Sequence, residues 1–168
     1  MADAVKVRDY RPEDLKRLQD IAVEAWKPIY DEYRRKLGDE IFEQVYAGGS
    51  ERKRGQVASF AERSPEHLIV AETPEGKVVG FATYYLREDI KVGDIGNNAV
   101  DRSCGLKGVG QALYAEVFRR MRAAGMTVAR VDTGYNDEGH APARRAYERA
   151  GFGANGEHTE STLYFKKL

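Results

Sequence analysis

Gly105-Leu106-Lys107-Gly108-Val109-Gly110-Gln111-Ala112-Leu113 is the stretch on which the reading of this chain turns. Before it, the segment ending at Val100 reads as a strand; after it, Val109, Leu113, Val117 and Met121 recur at helical spacing. Strand, glycine loop and helix in that order are a common way to hold phosphate. Gly105, Gly108 and Gly110 let the backbone turn without a Cβ clash, so that consecutive amide N–H groups point inward at the positive end of the helix. The loop therefore reads as an anion site.

Glycine loops before helices serve several ligand classes. A P-loop ends in Gly-Lys-Ser/Thr, and Gly110-Gln111-Ala112 offers neither the lysine nor the hydroxyl. The dinucleotide fingerprint runs G-x-G-x-x-G, whereas this loop runs G-x-x-G-x-G, although Asp132 lies near the end of the next expected strand, where a ribose-binding acid belongs. A tight turn with no ligand is the bland alternative for the glycines taken alone.

The loop and its flanks resemble the GNAT superfamily of N-acetyltransferases, whose members read Arg/Gln-x-x-Gly-x-Gly/Ala between the fourth strand and the third helix. Gly108-Val109-Gly110 match that motif, and Gly105 stands at its Arg/Gln position. Asn98-Ala99-Val100 is similar to the family's strand end, with Arg102 where a proline is usual. Downstream, the segment from His140 to Phe152 resembles Asn-x-x-Ala-x-x-x-Tyr-x-x-x-Gly-Phe, with His140 in place of the asparagine and Ala143, Tyr147, Gly151 and Phe152 in register.

The resemblance implies a mixed α/β GNAT fold, with a central sheet of about seven strands splayed between the fourth and fifth and helices on both faces. It implies acetyl-coenzyme A as cosubstrate, held by Ala99, Val100, Gly105, Leu106, Lys107, Gly108, Val109, Gly110, Gln111, His140, Ala143 and Tyr147. Tyr147 matches the tyrosine that in many members protonates the departing coenzyme sulfur, with a phenol pKa of ~10 against ~8.5 for a thiol; a tyrosine packed in the core is the alternative. Asp94 matches a position where several members carry a glutamate base, one methylene longer, so it is expected as a base, direct or through water; a polar residue beside Gly93 in a bulge is the alternative. His140 is expected on the pantetheine arm, with a base or a helix cap as the other readings. Trp26, Tyr30, Tyr33, Tyr84 and Tyr85 fall in segments that by resemblance wall the acceptor side, where Asp31 and Glu32 would suit a cationic or partly apolar amine. Each of these rings is equally readable as packing between helix and sheet. The implied activity is direct transfer of an acetyl group to a primary amine on a small molecule or peptide. A GNAT-fold sensor or scaffold without turnover and a nucleotide-binding interaction domain are the rivals.

The 168 residues suit one domain throughout, 1–168, and 42% hydrophobic with 32% charged residues describes a globular chain rather than a disordered one. The 27 basic and 27 acidic residues balance, which gives no global argument for nucleic acid or an anionic membrane as partner. Arg52-Lys53-Arg54, Arg119-Arg120-Arg122 and Arg144-Arg145 are basic clusters, read either as solvated faces or as contacts for phosphate. No run approaches the roughly 18 apolar residues of a membrane span, and a cytoplasmic location is expected. Cys104 has no partner for a disulfide and reads as a bystander at the mouth of the loop; the histidines at 67, 140 and 158 lack ligand spacing, so no metal is expected.

From the N-terminus, residues 4 to 8 alternate as a strand, and Pro12-Glu13-Asp14 opens a helix with apolar face Leu15, Leu18, Ile21, Ala22 and Ala25 that Pro28 should end or kink. Short helices are expected from Asp39 to Ala47 and from Ser50 to Arg63. A hairpin follows, Leu68 to Ala71 and Val78 to Tyr85, turning at Thr73-Pro74-Glu75-Gly76. Lys91 to Val100 reads as a strand broken by a bulge at Gly93, Gly96 and Asn97-Asn98. After a helix over 109–124 come a strand from Thr127 to Thr133, a helix from Pro142 to Gly151, and a last strand from His158 to Lys167, whose Leu163-Tyr164-Phe165 is open to pairing across a homodimer.

Overall fold

The computed structural model describes residues 5–134, 137–154 and 161–168. In chain order they form β1 (Lys6–Asp9), α1 (Leu15–Leu37), α2 (Asp39–Tyr46), α3 (Gly49–Arg63), β2 (Leu68–Glu72), β3 (Val78–Arg87) and β4 (Val92–Val100). They continue with α4 (Val109–Ala123), β5 (Val128–Gly134), α5 (Ala141–Arg149), β6 (Gly153–Ala154) and β7 (Ser161–Lys167). The strands build one mixed sheet in the order β1-β2-β3-β4-β5-β7-β6, in which only β4 and β5 run parallel. The expected start of the last strand at His158 lies outside the described residues. β7 pairs with β5 along one edge and with the two residues of β6 on the other.

Every residue of Leu68–Ala71 is buried, as befits a strand covered on both faces. Leu68, Val70 and Phe81 meet Leu18, Ile21 and Ala22 of α1 with Val57 and Phe60 of α3; Ile69, Ala71 and Ala82 meet Leu113, Val117 and Met121 of α4 on the other side. These side chains have little or no exposure, and each one larger than alanine contributes about 1.5–3 kcal/mol relative to leaving it in water.

Of the expectation that Pro28 ends or kinks α1, the ending is corrected, because the helix runs through it to Leu37. A proline removes one helical hydrogen bond and costs roughly 3 kcal/mol in isolation. Beyond it, however, Ile29 is buried, and Tyr30 and Tyr33 pack on Phe42 and Tyr46 of α2, with ring centroids 6.4 Å (Tyr30–Phe42) and 5.1 Å (Tyr33–Tyr46) apart. Tertiary packing of the later turns outweighs the local break.

The feature that positions the site is a bulge in β4. Pairing with β3 passes from Ala82–Asn98 to Tyr84–Ile95, so Thr83 faces both Gly96 and Asn97. Thr83 Oγ1 donates to the Asn97 carbonyl at 3.0 Å, and a Cβ on Gly96 would fall 2.6 Å from that oxygen. Parallel pairing of β4 with β5 covers Val92–Ile95 against Val128–Val131 and stops at the bulge. Beyond it β4 stays with β3 while β5 stays with β7, and the sheet opens between them.

Candidate active site

The opening between β4 and β5 is a cleft of about 610 Å³, walled by Trp26 and Ile29 of α1, by residues 95–100 of β4, by Gly108–Gln111, and by His140, Ala143 and Tyr147. At one end stands the N-terminus of α4. Gly105 and Gly108 adopt φ of +70° and +82°, which an L side chain resists, and Gly108 is the residue before the helix, with no side chain capping it. The first amides of α4 thus lack partners within the helix, and Gly108–Gln111 line the cleft, an arrangement able to hold an anion such as a phosphate.

The loop is held from beneath by Asp101, which is 3% exposed. Its carboxylate accepts from the Ser103 amide (2.8 Å) and hydroxyl (2.5 Å) and pairs with Arg17, and these contacts hold it below the usual aspartate range. Gln111 does not reach into the loop; its amide donates to the Ala146 carbonyl at 3.0 Å and ties α4 to α5.

At the deep end, Tyr147 is 4% exposed and yet lines the cleft. Its oxygen accepts from Asn98 Nδ2 at 3.0 Å, and Asn98 Oδ1 accepts from the Tyr114 hydroxyl at 2.9 Å. Burial, and then the neighbouring Tyr147, push the Tyr114 phenol well above its ordinary value, so it stays a donor. The bulge places Asn98 where it can bridge both tyrosines.

Residues 17–152 match the model of the acetyltransferase (GNAT) family. The chain belongs to the GNAT family. No curated protein sequence matches it significantly. Among solved structures it is similar in fold to a PaiA N-acetyltransferase from Thermoplasma acidophilum in complex with coenzyme A, at 17% identity and a TM-score of 0.73 over 98% of this chain and 99% of that one. A GNAT-superfamily phosphinothricin acetyltransferase from Sinorhizobium meliloti in complex with acetyl-coenzyme A gives 16% and 0.68 over 98% and 89%. Ard1 from Thermoplasma volcanium gives 19% and 0.68 over 98% of each chain.

Within this GNAT chain, the residues expected at the coenzyme divide cleanly. Ala99, Val100, Leu106, Gly108, Val109, Gly110, Gln111, His140, Ala143 and Tyr147 line the cleft. Gly105 and Lys107 lie in the loop but are not among the residues that line the cleft. His140 precedes α5 with its amide donating to Asp137 Oδ1 (2.7 Å) and its Nδ1 bonded to Asp137 Oδ2 (2.6 Å). With Nδ1–H given to the carboxylate, the neutral ring keeps Nε2 as an acceptor. The pair fits because residue 134 is glycine: a Cβ there would lie 2.5 Å from Asp137 Oδ2 and 2.6 Å from His140 Nδ1.

Asp94 is placed elsewhere. It lies outside the cleft and is clamped by Arg87 Nε at 2.5 Å and by Arg130 through both oxygens, at 2.5 and 2.9 Å. Burial opposes its ionisation, but Arg130 and Arg87 prevail and hold the carboxyl below the ordinary range. A carboxylate so paired is a poor acceptor for an amine proton.

On the acceptor side, Trp26 lines the cleft, whereas Tyr30 packs against α2 and Tyr84 is 4% exposed, its hydroxyl donating to the Glu66 carbonyl at 3.3 Å. Tyr84 shares the α4 face of the sheet with Ala82; Tyr85, one residue on, turns to the other face, stacks edge-on against Phe60 at 5.2 Å and lines the cleft. Asp31 is paired with Lys27, and Glu32 with Lys36 and the Gly139 amide. Sequence reading missed Asn98, Tyr114, Asp101 and Asp137 as working parts; only the short spacing of Asp137 and His140 offered a signal. Among the described residues no helix is long and apolar enough to cross a membrane.

Proposed function

We propose that this chain is an acetyl-coenzyme A-dependent N-acetyltransferase that transfers directly to a primary amine in a ternary complex. The observation that carries this reading is the single cleft joining the uncapped N-terminus of α4 at one end to the Asn98-bonded hydroxyl of Tyr147 at the other. The α4 amides from Val109 onward fit a pyrophosphate. The β4 edge beyond Ile95, no longer paired with β5, offers backbone groups to an extended arm, and the free His140 Nε2 offers one more acceptor. When bound, acetyl-coenzyme A supplies a thioester; the amine nitrogen bonds to its carbonyl carbon and releases one proton to water, and the C–S bond breaks. Backbone N–H groups near Ala99 and Val100 stabilise the oxyanion, and Tyr147 gives its proton to the departing sulfur. The Tyr147 oxygen accepts from Asn98, and its hydroxyl proton is the one a departing thiolate takes.

The test is calorimetric titration with acetyl-coenzyme A, NAD and ATP, followed by an amine panel read by thiol release. Micromolar binding of acetyl-coenzyme A alone, with turnover of an amine, is expected. Binding without turnover of any amine would reduce the chain to a sensor, and retention of NAD or ATP in place of the coenzyme would overturn the reading.

A further inference from the structure

A second cavity of about 400 Å³ adjoins the cleft, and Tyr85 and Asn97 line both. Its outer wall is one face of α3, where Arg52, Gln56, Ser59 and Arg63 follow at helical spacing. Among the described residues no aspartate or glutamate lines it. On the same helix Arg54 is paired with Asp20 and Glu51, whereas among the described residues Arg52, Lys53 and Arg63 have no carboxylate within ion-pair distance.

Lys53 lies beneath this wall and is only 5% exposed. Its ammonium donates to Gln56 Oε1 at 2.9 Å and Asn97 Oδ1 at 3.0 Å, and sits 3.6 Å from the centroid of the Trp26 ring. All three partners are neutral. Taking an ammonium out of water is expensive, and amide oxygens with a ring face return only part of the loss. Burial accordingly draws the Lys53 ammonium down to about 8. A buried cation in this state gains from any anion brought beside it.

We propose that this trough holds the carboxylate of the acceptor, so that the acetylated amine belongs to a small amino acid or similar anionic amine. Arg52 and Arg63 donate to the carboxylate from the rim, and Lys53 supplies positive potential from below. The assignment rests on the N-acetyltransferase reading, since it concerns the acceptor end of the same cleft. Tyr85 and Asn97, shared by both cavities, connect the carboxylate end to the reacting end. The charge is opposite to that expected from Asp31 and Glu32, whose carboxylates are already engaged by Lys27, Lys36 and the Gly139 amide.

The experiment compares amines that differ by one carboxylate: leucine with isoamylamine, and phenylalanine with phenethylamine, by thiol release. The carboxylate member of each pair should show a kcat/KM higher by about tenfold or more, as one charge-assisted contact implies. Arg52→Gln with Arg63→Gln should bring the ratio close to one, and Lys53→Met should lower it with the methylene stem retained. In parallel, the coenzyme A-loaded protein is titrated calorimetrically with N-acetylleucine and with N-isoamylacetamide. Stronger binding of the carboxylate product, weakened in the double arginine variant, supports the trough even where turnover is slow. Equal or better handling of the uncharged partner in both arms overturns the proposal while leaving acetyl transfer intact. Failure of coenzyme binding would instead strike at the acetyltransferase reading, and the titration repeated without coenzyme would still decide the carboxylate.

Discussion

Replacing Tyr147 by phenylalanine separates its two roles. The ring packs at 5.6 Å from Tyr114 and 6.0 Å from Phe152, and a phenyl group keeps both contacts. The hydroxyl takes one bond from Asn98, whose Nδ2 retains the Gly96 carbonyl at 3.1 Å. With the bond to the Tyr114 hydroxyl added, the stability lost is one to two net hydrogen bonds, about 1–2 kcal/mol, or a fall in Tm of roughly 2–8 °C for a chain of this size. The loss in catalysis is larger, because a positioned acid contributes about 10²–10⁴-fold, or about 2.7–5.4 kcal/mol of barrier. Thiol release with the best amine of a panel should show kcat lowered by about a hundredfold or more with KM for acetyl-coenzyme A little changed. Tyr114→Phe removes the other hydroxyl of the network but leaves that of Tyr147, and should lower kcat far less. A Tyr147→Phe enzyme folded at ordinary temperature with kcat within about threefold of the parent would refute the acid assignment, since no such group can be worth so little.

Gly110 has ordinary helical φ, and a Cβ there would meet only Val100, at 3.9 Å, so Gly110→Ala should raise thermal stability by up to about 1 kcal/mol while weakening coenzyme binding in calorimetry; equal affinity would remove the loop as the phosphate site. Asp94→Asn should leave the pH–rate profile in place and lower stability at neutral pH. The Asp94 carboxyl is depressed in the fold, so its contribution is present above the ordinary aspartate range and fades as pH falls through the lowered value; denaturant midpoints of parent and variant should converge in acid. His140→Asn, which restores the amide usual in the family, should keep coenzyme affinity within about threefold, as one neutral bond replaces another. A profile that loses its acidic limb in that variant would make His140 the base instead.

Much of the fold could be read along the chain because its signals are local. The glycine loop, the turn at Thr73–Gly76 and the irregularity at Gly96 each follow from a few adjacent residues. Two readings turned on distant information. Pro28 is a strong local break, and nothing near it in sequence reveals that Tyr33 will pack on Tyr46 of another helix. Asp94 sits on a strand position that suits a base, while Arg130, which neutralises it, is 36 residues away across the parallel pair. The choice between Tyr84 and Tyr85 was hidden for another reason. Val78 to Tyr84 are all buried, so the alternation that normally tells the two faces of a strand apart is absent from the sequence.

The bulge explains why the two ends of the site lie side by side. Because Thr83 is matched by Gly96 and Asn97 together, β4 gains one residue, and the two asparagines after the glycine engage opposite partners. Asn97 accepts from Lys53 on the α3 side; Asn98 bonds to Tyr147 and Tyr114 beneath α4 and α5. The same extra residue ends the pairing with β5 and so opens the cleft between them. A regular ladder would keep β4 joined to β5 and would close the space that both side chains serve. Gly96 is what permits the extra residue, since any Cβ would strike Thr83 Oγ1. Access to the cleft, orientation of the proposed acid and placement of the buried cation are thus consequences of one local irregularity, and a change at Gly96 should disturb all three together rather than one alone.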